Sequence, residues 1–135
     1  MIVVDASVVV DLLLGGGSPA GDRLADEFRR RNVTCAPHLI DAEVGQVLRR
    51  YDAAGEVSGR SAVAMLGELS ALPIRRYPHK PLLTRAFDLR RNATFYDALY
   101  LALAEGLDSR FVTGDAALAS VPGCRAAVEV VETIR

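Results

Sequence analysis

Four carboxylates, Asp5, Glu43, Asp97 and Asp115, stand at or just inside the starts of probable helices. Most of those starts follow a short apolar run or a loop in a repeating strand–helix pattern. In an open parallel sheet the strand ends and the following helix starts converge on one edge, where ligands bind. Acids far apart in the chain can therefore meet in one pocket. Carboxylates that close repel each other, and a hard divalent cation held by oxygen ligands relieves the repulsion. The chemistry this pattern points to is metal-dependent attack on a phosphodiester.

Each acid also has a purely structural reading. Asp5 follows Ile2-Val3-Val4 directly, and either Asp5 or Ser7 suits the cap of the next helix. Glu43 borders the apolar stripe of its helix, facing a cleft or the edge of the core, and an acid near a helix start is also favoured by the macrodipole. Its neighbour Asp41 fits that second role. Thr94 and Asp97 have the spacing of a capping box, although that motif prefers Glu or Gln at the second position. The helix following Thr94 is apolar nearly all round, which places Asp97 at the mouth of a buried helix. Asp115 follows Phe111-Val112-Thr113-Gly114 and can cap a short helix, with Thr113 offering a hydroxyl to the same place.

The elements that must position these acids alternate between strand and helix. Strands are expected at 2–4, 33–36 and 111–113, a weaker one at 73–77, and a last one at 128–131. Helices are expected from Val8 to Leu14, ended by Gly15-Gly16-Gly17, and from Ser18-Pro19 to near Arg31. Further helices run from Pro37 to about Ala53, with an apolar stripe at Ile40, Val44, Val47, Leu48 and Tyr51, and from Ser58 to Leu72, with Val63, Leu66 and Leu69 inward. Lys80 to Arg91, Thr94 to Glu105 stopped by Gly106, and a short Asp115–Ala119 helix complete the set. The alternation describes a single α/β domain over residues 1–135, with a central, mostly parallel sheet flanked by helices.

A chain of 135 residues, half of them hydrophobic, can bury a core, and its apolar content leaves room for a partner surface. The net charge of -1 argues against coating nucleic acid by bulk attraction. Lys80 is the sole lysine, so phosphate contacts would fall to arginine, the better phosphate fork. Cys35 and Cys124 lack a CxxC or disulfide-framework spacing, and Cys35 with His38 lacks a second ligand pair, which disfavours zinc. Neither His38 nor His79 is needed as a general base. The first residues form neither a signal peptide nor a membrane span, so a reduced, cytoplasmic setting is expected.

Taken in order, Ile2-Val3-Val4-Asp5-Ala6-Ser7, Glu43-Val44, the run from Arg91 to Glu105 through Asn92 and Thr94-Phe95-Tyr96-Asp97, and Thr113-Gly114-Asp115 resemble a PIN domain of the VapC toxin type. The resemblance spans the chain, and its third block is the most specific. It implies sheet order 3-2-1-4-5, a homodimer, and a Mg²⁺- or Mn²⁺-dependent endoribonuclease of a toxin–antitoxin pair. Such an enzyme would cut tRNA or rRNA and be inhibited by a cognate antitoxin. Asp5, Glu43, Asp97 and Asp115 match the acidic quartet, Ser7 and Thr113 the supporting hydroxyls, and Asn92 a polar residue before the third acid. Basic residues commonly follow the last acid in this family. Here Ala116-Ala117 stand there, leaving Arg85, Arg90 or Arg91 to replace them. The alternatives are a non-catalytic RNA- or protein-binding domain whose acids are only caps and, more remotely, a phosphoacceptor domain, for which Lys80 is poorly placed.

Overall fold

The computed structural model describes residues 1–134. Its centre is a strand too apolar to face water: Val3 and Val4 in β1 (Ile2–Val4) are fully buried. A strand buried on both faces needs neighbours on both sides and helices above and below. Both are present. The sheet has five parallel strands in the order β3-β2-β1-β4-β5, with β2 at Thr34–Pro37, β3 at Ile74–Tyr77, β4 at Arg110–Thr113 and β5 at Val128–Val130. This is the order that the resemblance implied.

Six helices cover the sheet: α1 (Ala6–Leu13), α2 (Pro19–Arg29), α3 (Leu39–Ala53), α4 (Gly59–Ala71), α5 (Leu83–Asp88) and α6 (Phe95–Leu107). α6 buries its entire middle, from Ala98 through Ala104, as its all-round apolar sequence requires. Tyr100 in that run stacks on Phe111 of β4, with ring centroids 5.8 Å apart. The α1–α2 connection turns through Gly15, Gly16 and Gly17, all at positive φ, where a side chain would be strained. Ser18 then caps α2, with Pro19 in its first turn.

Several expectations change. Asp5, not Ser7, is the N-cap of α1, which begins at Ala6. Pro37 closes β2 instead of opening α3. On α4 only Leu69 of the three residues expected inward is buried; Val63 is 70% and Leu66 39% exposed. Ala62, Met65, Leu69 and Leu72 form the inner face, so the helix carries apolar residues on two sides. The expected Lys80–Arg91 helix divides into a 3₁₀ turn at Lys80–Leu82, α5, and turns beyond it. Gly106 does not stop α6, which continues to Leu107 and ends where Asp108 adopts φ 50°. The short helix near Asp115 is a 3₁₀ turn, Ala116–Ser120, that Asp115 caps.

The sheet order fixes where a ligand can sit. From β1 the chain passes to β2 on one side, while β4 lies on the other, so the order reverses between β1 and β4. The crevice at such a switch point, outside the carboxyl ends of the strands, is where open α/β sheets bind ligands. The register pairs Val4 with Val112, which sets Asp5 level with Thr113 and brings the loop to Asp115 alongside the start of α1.

Candidate active site

Asp5 is the anchor of the site. Its Oδ1 accepts hydrogen bonds from the Ser7 N–H at 3.1 Å, the Ser7 hydroxyl at 2.5 Å and the Val8 N–H at 3.4 Å. Its Oδ2 accepts from the Thr113 hydroxyl at 2.5 Å. The two hydroxyls each work twice. Ser7 Oγ also accepts from the Gly114 N–H at 3.0 Å, and Thr113 Oγ1 from the Asp115 N–H at 3.0 Å. Each hydroxyl thus spends its single proton on Asp5 while its lone pairs hold the β4 loop. Oδ1 caps the helix, while Oδ2 takes the Thr113 hydroxyl from the neighbouring strand.

Gly114 is needed for this closure. A Cβ at that position would run into the Thr133 methyl and lie 3.0 Å from Ser7 Oγ. The reason is close approach of the C-terminal segment, which is tied down where the Ile134 N–H donates to Asp11 Oδ2 at 2.8 Å.

Glu43 lies within electrostatic reach of Asp5 and Asp97, and Asp97 within reach of Asp115. Burial raises the Asp5 carboxyl above the usual carboxylate range, against the pull of Ser7 and Thr113. Burial also raises Glu43; the nearby Tyr100 hydroxyl offsets part of the effect, and the charges of Asp97 and Asp5 add to it. Asp97 is raised by burial and by Asp115, and lowered by the Thr94 hydroxyl. The mutual influences run from Glu43 to Asp5 and Asp97, and from Asp97 to Asp115, so the four acids share one electrostatic neighbourhood. Exposure grades outward: Asp5, Glu43 and Asp97 are partly buried, and Asp115 is exposed on the rim.

The capping readings are resolved acid by acid. Thr94 Oγ1 accepts the Asp97 N–H at 3.1 Å, yet among the described residues the Asp97 carboxylate does not return the bond that would complete a capping box. Asp115 Oδ1 accepts the Ala117 N–H at 2.9 Å, which makes Asp115 a real cap. Asp41 is held by Arg76 in a two-pronged pair at 2.9 and 2.8 Å and belongs to the fold.

Tyr100 is the site residue that sequence reasoning missed. It is 1% exposed, and its hydroxyl faces Glu43 without a regular hydrogen bond to any described group. Burial and the Glu43 charge push its own ionisation far up. The available signal was its place three residues after Asp97, one turn along the same helix face, in a run otherwise free of polar atoms.

Asn92 does not join the acids: it is exposed, and its amide donates to the Pro122 carbonyl at 3.3 Å. Arg85 is also committed elsewhere, with a fork on Glu105 at 2.7 and 3.0 Å and a bond to the Gly123 carbonyl at 2.7 Å. Arg90 lies over the Phe87 ring, 4.4 Å from its centroid. Arg91 is exposed beside the turn that leads to Thr94. His79 has a structural task, since its Nε2 accepts the Leu39 N–H at 3.0 Å at the start of α3.

An all-oxygen, acidic donor set suits Mg²⁺ or Mn²⁺. Among the described residues no three acid, histidine or cysteine side chains are drawn tightly enough to enclose an ion alone.

The PIN domain family model matches residues 2–123. Ribonuclease VapC1 of Mycobacterium tuberculosis is 45% identical over 130 residues, covering 96% of this chain and 96% of that protein. Among solved structures, PAE2754 from Pyrobaculum aerophilum superposes with a TM-score of 0.69 at 26% identity, covering 96% of this chain and 83% of that one. VapBC2 from Rickettsia felis, solved bound to a DNA fragment from its promoter, shares the fold with a TM-score of 0.70 at 12% identity, over 98% of this chain and 100% of that one.

Proposed function

The chain belongs to the PIN-domain family, in its VapC-type branch, and from that premise we propose that it is a Mg²⁺- or Mn²⁺-dependent endoribonuclease, the toxin of a toxin–antitoxin pair. The observation that carries the reading is the double bridge of Ser7 and Thr113 onto Asp5 beside the sheet's switch point, with Glu43 in electrostatic reach of that acid. A set of plain helix caps has no need for two hydroxyls aimed at one carboxylate.

In this mechanism Asp5 and Asp97 would hold the cation, and Asp115 would hold it directly or through water. When bound, the cation supplies Lewis acidity, lowering the pKa of the attacking water and offsetting charge on the phosphoryl oxygens. Glu43 orients that water or holds a second ion, and its raised proton affinity suits it to accept a proton. The buried Tyr100 hydroxyl lies within electrostatic reach of Glu43.

The substrate is cellular RNA, tRNA or rRNA, entered at an exposed single-stranded segment whose bases are free to be splayed. The antitoxin and a second copy of the chain are the proposed protein partners. Exposed Leu83, Phe87 and Phe95, and Val63 and Leu66 on α4, supply apolar surface for them. No described helix is long and apolar enough to cross a membrane, and a cytoplasmic setting is proposed with the RNA substrate.

The test is incubation of the purified protein with total RNA, with and without Mg²⁺ or Mn²⁺, beside Asp5→Asn and Asp97→Asn. Cleavage that needs the metal and disappears in both variants is the expected result. Equal cutting by Asp97→Asn overturns the assignment.

A further inference from the structure

A cleft of about 380 Å³ opens beside the acids, lined by Leu39, Ala42, Glu43 and Gln46 of α3 and by Tyr96 of α6. Its volume is in the range of small-ligand clefts, roughly 300–1,000 Å³. The four α3 residues lie on one face at helical spacing, and Glu43 belongs both to this wall and to the acidic crevice. The cleft therefore adjoins, through Glu43, the acids to which the ribonuclease reading assigns the chemistry.

Its chemistry is selective. Glu43 is the sole charged group in the lining, and the remaining surface is aliphatic, amide and aromatic. Such a wall rejects a phosphate and accepts a flat, neutral, polar-edged ring. Tyr96 is 61% exposed in the first turn of α6, where the helix gains nothing from an aromatic side chain. Its neighbour Phe95 instead lines a separate apolar groove with Leu83, Thr84, Phe87 and Asp88. Tyr96 thus stands apart from that groove and serves the cleft beside Glu43.

We propose that this cleft is a nucleobase subsite: Tyr96 stacks a base next to the scissile phosphate, and the Gln46 side-chain amide reads that base's edge. The inference rests on the ribonuclease reading and adds to it the residues that choose where RNA is cut. Stacking on an aromatic ring is tolerant of base identity, whereas an amide carries one donor and one acceptor face and can discriminate. Tyr96 accordingly supplies affinity, and Gln46 supplies preference.

Two measurements test it on the full chain. In the first, a random single-stranded RNA pool is cut in Mn²⁺ by the wild type, Tyr96→Phe, Tyr96→Ala and Gln46→Ala, and the new ends are sequenced. Tyr96→Phe should keep both KM and the cut-site profile. Tyr96→Ala should raise KM roughly tenfold with kcat little changed, the loss expected for one stacked base. Gln46→Ala should flatten the preference at one position beside the cut, with a smaller change in KM. In the second, a short RNA carrying a fluorescent purine analogue is titrated with each protein in Ca²⁺, and quenching reports stacking without cleavage. Quenching by the wild type and Tyr96→Phe but not by Tyr96→Ala supports the subsite even if no RNA is cut, a result that would remove the ribonuclease reading alone. Cutting with an unchanged profile and KM in Tyr96→Ala, together with undiminished quenching, overturns the subsite and leaves the cleft to a protein side chain.

Discussion

Asp5 serves two masters, and the division falls between its two oxygens. Oδ1 meets the backbone of α1 while Oδ2 takes the Thr113 hydroxyl. Thr113→Val keeps the shape and removes the bridge, leaving Asp5 Oδ2 and the Asp115 N–H short of a partner. It should cost about 1–2 kcal/mol of stability, measurable by urea unfolding. It should also weaken activation by Mn²⁺ about ten- to a hundredfold, the usual cost of losing a group that orients a metal ligand. Loss of stability with an unchanged Mn²⁺ requirement would make Thr113 merely structural. Asp97→Asn acts differently. The Asp97 carboxyl is raised in the folded state, so its charged form is disfavoured there and opposes folding as pH climbs through that raised value. Asparagine removes that opposition. The metal-free variant should therefore melt no lower than the wild type near neutral pH, while the rise in melting temperature on adding Mn²⁺ is lost. A large fall in its metal-free melting temperature would show that Asp97 holds the fold.

Between α5 and α6 a different acid has the opposite sign. Glu105 is held down to about 2 by the Arg85 fork, aided by the Arg125 N–H. A carboxyl lowered on folding stabilises the protein above its unfolded value, near 4.5, and that stability is lost as pH falls toward 2. Glu105→Gln should cost on the order of 2–3 kcal/mol at pH 7 and flatten the acid limb of the stability curve in that window. An unchanged acid limb would show that the pair contributes nothing. This clasp was not legible in the sequence, since Arg85 and Glu105 are twenty residues apart on helices whose packing no periodicity reveals. For the same reason Arg85 looked like a candidate for RNA and proves to be occupied. β1 was readable because Ile2-Val3-Val4 is short, apolar and β-branched, and β2 and β4 because each is a short run bounded by turn or helix signals. The α4 face was misjudged because Val63 and Leu66 share the helical period with the true inner residues Ala62, Met65 and Leu69. Gly106 failed as a stop because α6 ends on the left-handed turn of Asp108 instead.

At the scale of the molecule, topology does what local sequence leaves undecided. Each of the four acids has a respectable local role as cap or helix-start residue, and two of them, Asp5 and Asp115, do cap. Only the order β3-β2-β1-β4-β5, with the Val4–Val112 register, brings Asp5 level with Thr113 and turns scattered caps into one neighbourhood. The quartet was legible as a pattern, while Tyr100 and the cleft of Tyr96 and Gln46 emerge only where the fold brings residues of α3 and α6 to the same place. The basic rim missing at Ala116-Ala117 is not replaced by Arg85, and Arg90 leans on Phe87, which leaves the exposed Arg91 as the remaining candidate of the three. We propose that the four acids form one cation site. Free Mn²⁺ measured by electron paramagnetic resonance during titration of the wild type, Asp5→Asn, Glu43→Gln, Asp97→Asn and Asp115→Asn tests it most directly. The expected result is binding by the wild type that weakens in every variant, most in Asp5→Asn and Asp97→Asn. Mn²⁺ affinity unchanged in Asp97→Asn and Asp5→Asn would contradict it.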